Sequence, residues 1–122
     1  MAEERDAGVL GDVSSEILDQ AAAIFGVLAS PVRLRILRVL SRGESDVAHL
    51  AEQVGGALST ISQHLSALMR SGLVDARRDG RRRVYFIADS AVVEVVGAVV
   101  ERVSGRADAR STEPGHVRGG AP

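Results

Sequence analysis

Two groups of side chains have the type and spacing for hydrogen-bond chemistry with a polyanion. The first is Ser59, Thr60, Ser62, Gln63 and His64, inside the run LSTISQHLSALMRSGL over 58–73. Gln63 can pair bidentately with adenine in a DNA major groove, and serine or threonine hydroxyls can meet a base edge or a phosphate. His64 suits a phosphate contact, a base contact or a structural role. The second group is five arginines, Arg77, Arg78, Arg81, Arg82 and Arg83, crowded around Asp79-Gly80. Five like charges in one turn repel each other, so a polyanion partner explains them better than a merely solvated turn. Such arginines hold phosphates or enter the minor groove. Catalysis is not expected. Ser62 and His64 are two apart and point to different sides of a helix. The chain has no cysteine, no glycine-rich phosphate loop and no pair of carboxylates set for acid–base work.

The elements that must position these groups follow from hydrophobic period. Over 58–71, Leu58, Ile61, Leu65 and Leu68 recur at helical spacing and predict one buried stripe. The opposite face holds Ser59, Thr60, Gln63, Ser66 and Arg70, short hydrogen-bonding groups where a solvated helix usually carries Glu and Lys. Gly72 is the expected stop. Upstream, Ser14 or Ser15 caps a helix over about 15–29, and Ser30 with Pro31 begins a second that ends at Gly43. Arg33, Arg35, Arg38 and Arg42 of that helix are expected largely outward. Ser45 is the expected cap of a short helix over about 46–54, and Gly55-Gly56 is the turn into the helix already described. This succession is a helix-turn-helix. After Gly72 the period shortens, and Asp79-Gly80 predicts a β-hairpin anchored by Val74, Val84, Phe86 and Tyr85. Asp89 or Ser90 then caps a last valine-rich segment. It is expected as a helix that is stable only when packed, with a strand as the competing form.

Composition bounds the rest. The 122 residues suit one domain, and the 2% aromatic content leaves the core to Leu, Val, Ile and Ala. The formal charge of −1 hides a division: −5 over residues 1–29, +5 over 30–88 and −1 over 89–122. All fifteen basic residues are arginine, which favours bidentate phosphate contacts but also fits a compositional habit of the source genome. No apolar run reaches the roughly 18 residues of a membrane span, and the acidic N-terminus does not look like a signal peptide. A cytoplasmic protein without membrane contact is expected. Residues 1–13 are expected to be flexible, 14–104 to form the domain, and 105–122 to be a disordered tail.

The fold class expected is mainly α with a small β-hairpin, a winged helix-turn-helix. Through LASPVRLRILRVL (28–40), LAEQVGGALSTISQHLSALMRSGLV (50–74) and RRDGRRRVYF (77–86), the chain resembles the ArsR/SmtB family of bacterial transcriptional regulators. The resemblance implies a homodimer on a pseudo-palindromic operator, with a small effector altering DNA affinity. The available dimer surfaces are the first helix (Ile17, Ala21, Ile24, Leu28) and the last (Val92, Val96, Val99, Val103). Two metal-sensing patterns of that family are broken here. Asp89 matches the start of one, but Ala91 stands in place of its histidine, and no cysteine exists for the other. Asp89, Glu94, Glu101 and His116 are the remaining donors for a nitrogen/oxygen site taking Ni, Co or Zn. Solvated carboxylates and an idle tail histidine are the competing reading. A protein-interaction module, or a regulator controlled by a partner protein, is the alternative function.

Overall fold

The computed structural model describes residues 10–111. From residue 15 onward the order is α1 (Ser15–Leu28), α2 (Pro31–Ser41), α3 (Val47–Val54), α4 (Leu58–Arg70), β1 (Val74–Asp79), β2 (Arg82–Ile87) and α5 (Ser90–Ser111). Each early helix starts where a side-chain oxygen satisfies a first-turn N–H. Ser14 Oγ accepts from the Ile17 amide at 3.2 Å, and Ser30 Oγ from the Arg33 amide at 3.3 Å with Pro31 next to it. At α3 the cap is Asp46, whose Oδ1 accepts from the His49 amide at 2.9 Å. Ser45, the expected cap, is buried and exchanges both backbone hydrogen bonds with Tyr85, at 3.0 and 2.8 Å. Lying extended beside β2 uses up Ser45, so the helix starts one residue later.

α2, α3 and α4 enclose a core that the hairpin closes from one side. Ile36, Leu37, Leu40, Leu50, Ile61, Leu65, Leu68, Leu73 and Val74 are its nearly inaccessible members. Leu58 departs from the expected stripe. It is 53% exposed, because the first turn of α4 projects beyond the core that receives Ile61. α4 ends as its glycine predicts: Gly72 has φ +81°, and the Leu73 amide reaches back to the Leu68 carbonyl at 3.0 Å.

α5 is a helix, capped by Asp89 Oδ1 on the Val92 amide at 3.1 Å. Val92, Val93 and Val96 pack against the core, and burial of this kind offsets the poor helix propensity of valine. The helix continues to Ser111, past the boundary expected at 104. Once nucleated, a helix propagates readily through residues such as Ala107 and Arg106. Residues 1–9 and 112–122, most of the two expected flexible termini, lie outside the described residues. Among the described residues no helix is long and apolar enough to cross a membrane.

Candidate nucleic-acid interface

α3, the turn at Gly55 and Gly56 (φ +90° and +110°) and α4 form the expected helix-turn-helix. Glycine is needed there because positive φ strains any side chain with a Cβ. Ser59, Thr60, Ser62 and Gln63 are all exposed on α4, and none makes a side-chain hydrogen bond among the described residues. Ala57 supplies no side-chain cap, so the amides of Leu58 and Ser59 keep their donor capacity, while the Thr60 amide donates to the Ala57 carbonyl at 3.1 Å. His64 differs from the other four. It is half-buried, and its Nδ1 accepts a hydrogen bond from Arg33 Nε at 3.0 Å.

The hairpin register sorts the arginines. Arg78 pairs directly with Arg83, Ala76 with Tyr85 and Val74 with Ile87, so these six share one face. That face looks toward the end of α4: Arg83 lies 5.6 Å over the Tyr85 ring and reaches within 4.0 Å of Met69 Sδ. Arg77 and Arg82 stand on the other face, as alternation requires. Arg77 is ion-paired with Glu44, and Arg82 Nε sits 3.2 Å from Asp46 Oδ2. Glu44 and Asp46 are available because they flank Ser45 on the strip paired with β2. Arg81 is exposed beside the turn glycine Gly80, which has φ +67°. The five arginines are therefore unequal. Arg78 and Arg83 oppose each other without a carboxylate partner among the described residues, an unfavourable pairing that an anion between them would relieve.

The ion pair of Arg77 yields a prediction. Both partners are nearly half-exposed, and such pairs contribute about 0–1 kcal/mol. Glu44→Gln should release Arg77 and remove a repelling charge, tightening duplex DNA binding about 2- to 5-fold, as read by fluorescence anisotropy. Unchanged affinity would put Arg77 beyond the reach of any phosphate.

The other expected sites divide. Ile17, Val99 and Val103 are exposed, as are Leu18, Phe25, Val95 and Val100, and of these Phe25, Val95, Val99 and Val100 line one apolar groove between α1 and α5. Leu28 is buried, while Ile24, Val92 and Val96 pack against the core and Ala21 is half-buried, so these serve the protomer first. Of the metal candidates, Asp89 is engaged as the cap of α5, and Glu94 and Glu101 are exposed. No group of three or more His, Cys, Asp or Glu side chains converges among the described residues. His116 lies outside them. Arg33, expected to point largely outward, turns inward instead. It is half-buried, and its Nη1 also donates to the Val27 carbonyl at 3.2 Å.

A family model described as bacterial regulatory protein, arsR family, matches residues 30–76. The chain is 40% identical over 78 residues to a probable mercury resistance operon repressor of Streptomyces lividans, covering 64% of this chain and 62% of that one. It is 41% identical to the regulator Rv0324 of Mycobacterium tuberculosis over 72% of its own length, but spans 39% of that protein. With the nodulation protein NolR of Rhizobium meliloti it shares 37% identity over 94 residues, 77% of each chain. Among solved structures, the homodimeric winged helix-turn-helix DNA-binding domain of Mb0332 from Mycobacterium bovis superposes with a TM-score of 0.73 at 34% identity. That match covers 84% of this chain and 97% of the other.

Proposed function

This chain belongs to the arsR family of bacterial regulatory proteins, and on that premise we propose that it is a non-enzymatic, homodimeric transcriptional regulator that reads a pseudo-palindromic operator in the cytoplasm. One observation carries the reading: the exposed polar face of α4 ends beside a hairpin face where Arg78 and Arg83 stand opposed, with no carboxylate partner among the described residues. α4 enters the major groove, with Gln63 near the centre of its exposed face to read a base, and Ser59, Thr60 and Ser62 meeting base edges or phosphates. Arg78, Arg83 and Arg81 hold the flanking backbone.

A single protomer reads one half-site. Two copies joined through α1 and α5 would set two α4 helices about 34 Å apart, one turn of the duplex. The exposed Phe25, Val95, Val99, Val100 and Val103 fit that role, and the Mycobacterium bovis domain is homodimeric. Residues 14–104 would form the DNA-binding and dimerisation unit, with α5 continuing beyond it.

The Streptomyces relative is named for mercury resistance, yet this chain has no cysteine and so lacks the thiolates that soft metals favour. Among the described residues, Asp89, Glu94 and Glu101 do not converge with other donors into a group that could hold nickel, cobalt or zinc. A partner protein or another small molecule as effector fits the residues better.

Gln63→Ala tests the base-reading role. It should reduce discrimination between operator and mismatched duplex by about 1–3 kcal/mol, with fold and dimer intact. An unchanged ratio of specific to non-specific affinity would remove Gln63 from the base-contact set.

A further inference from the structure

We propose that Arg33 fixes the tautomer of His64, so that His64 presents an Nε2–H donor to an acceptor oxygen or nitrogen of bound DNA. This rests on the regulator reading above and deepens it, adding Arg33 as a positioning residue and giving His64 one defined role.

The geometry starts at Arg33. Its own amide is held by Ser30 Oγ at 3.3 Å, its Nη1 donates to the Val27 carbonyl at 3.2 Å, and its Nε donates to His64 Nδ1 at 3.0 Å. The guanidinium is thereby tied to the end of α1 and to α2, the helix that bears it, while it meets the side of α4. Arginine cannot accept a hydrogen bond, so the direction of the contact is settled: His64 Nδ1 must be the acceptor. A ring whose Nδ1 accepts is neutral, with its proton on Nε2. His64 has no second hydrogen-bond partner among the described residues, so Nε2–H is left to donate outward. His64 also follows Thr60 by four residues, which stacks the two side chains on one flank of α4.

The arrangement has a chemical consequence. An untethered imidazole could offer Nε2 as an acceptor or a donor and would lose rotamer freedom on binding. Tethered by Arg33, it is oriented beforehand and can only donate. The groups it fits are acceptors: a phosphate oxygen, or an acceptor atom on a base edge such as purine N7.

Asparagine and glutamine separate the two ends of the ring. In His64→Asn the amide oxygen can take the Nδ1 place and still accept from Arg33, but the distal donor is gone. In His64→Gln the amide nitrogen approaches the Nε2 place. The experiment measures full-length wild type, His64→Asn, His64→Gln and Arg33→Gln by three readouts. These are thermal unfolding, titration of operator and of non-specific duplex, and long-range 1H–15N correlation of the imidazole in the wild type and in Arg33→Gln.

Wild type should show one imidazole tautomer, protonated at Nε2, and Arg33→Gln should show both. His64→Asn should unfold near the wild-type temperature yet bind operator roughly 5- to 30-fold more weakly, and His64→Gln should retain more of the affinity. Equal losses on operator and non-specific duplex would assign the acceptor to phosphate, and loss on operator alone would assign it to a base. Either supports the donor role. Wild-type affinity in His64→Asn, or an Nδ1-protonated ring in the wild type, would overturn the proposal. A wild-type protein that binds no duplex would overturn the DNA reading and the proposal with it, whereas wild-type binding matched by His64→Asn overturns the proposal alone.

Discussion

Replacing Arg78 and Arg83 together by alanine should weaken binding to duplex DNA of any sequence by about 100-fold or more near 0.1 M salt. A charge-assisted hydrogen bond contributes roughly 1.5–3 kcal/mol, and a dimer would lose two arginines from each subunit. If each arginine neutralises one phosphate, the slope of log affinity against log salt should flatten by about 3–4. The matched control is Arg77→Ala with Arg82→Ala. Those two lie on the opposite hairpin face, already paired with Glu44 and Asp46, so their loss should cost less than about 5-fold, since exposed ion pairs contribute little. Stability supplies a second check. Arg78 and Arg83 are directly opposed like charges, and their removal relieves that repulsion, offsetting the lost contact of Arg83 with Tyr85. The free double variant should therefore unfold within a few degrees of wild type. Equal effects from the two arginine pairs would mean that the register does not decide which arginines meet DNA.

The second large effect concerns the apolar surface. Phe25 and Val99 are 61% and 58% exposed within the protomer, so Phe25→Glu with Val99→Glu should leave its circular dichroism unchanged. In a dimer the same residues would meet their counterparts, and two buried, unpaired carboxylates per subunit would not be tolerated. Sedimentation should show monomers. Operator affinity should fall by roughly 10²–10⁴, because joining two half-site readers contributes about that much through effective concentration. A variant that stays dimeric would move the interface off this face.

Much of the frame is legible in local sequence. Ser14, Ser30-Pro31 and Asp89 mark helix starts, Asp79-Gly80 marks the hairpin, and the leucine stripe of α4 marks its buried side, because caps, turns and helical period are governed by residues within a few positions. What escapes is set by distant partners. Ser45 looks like a cap until β2 lies alongside it and takes its backbone groups. The five hairpin arginines look alike until the register assigns Arg77 and Arg82 to one face and Arg78 and Arg83 to the other, and until Glu44, 33 residues before Arg77, comes within reach. The bond from Arg33 to His64 spans 31 residues, and no local pattern signals that this arginine, of the three on α2, turns inward. The stripe on α5 shows how packing divides one apolar pattern. Its valines at 92 and 96 serve the protomer core, and those at 99 and 103 face outward.

The central claim is that the α4 face and the Arg78–Arg83 hairpin face together read duplex DNA as a dimer. The most direct test is a titration of the protein against its own promoter duplex and a scrambled duplex between 50 and 200 mM salt. The expected result is two protomers per site and tighter binding to the promoter than to the scrambled sequence. Log affinity should fall linearly with log salt, by about 10³–10⁵ over that range if 6–10 phosphates are contacted. Affinity that ignores salt, or equal affinity for the two duplexes, would contradict the claim.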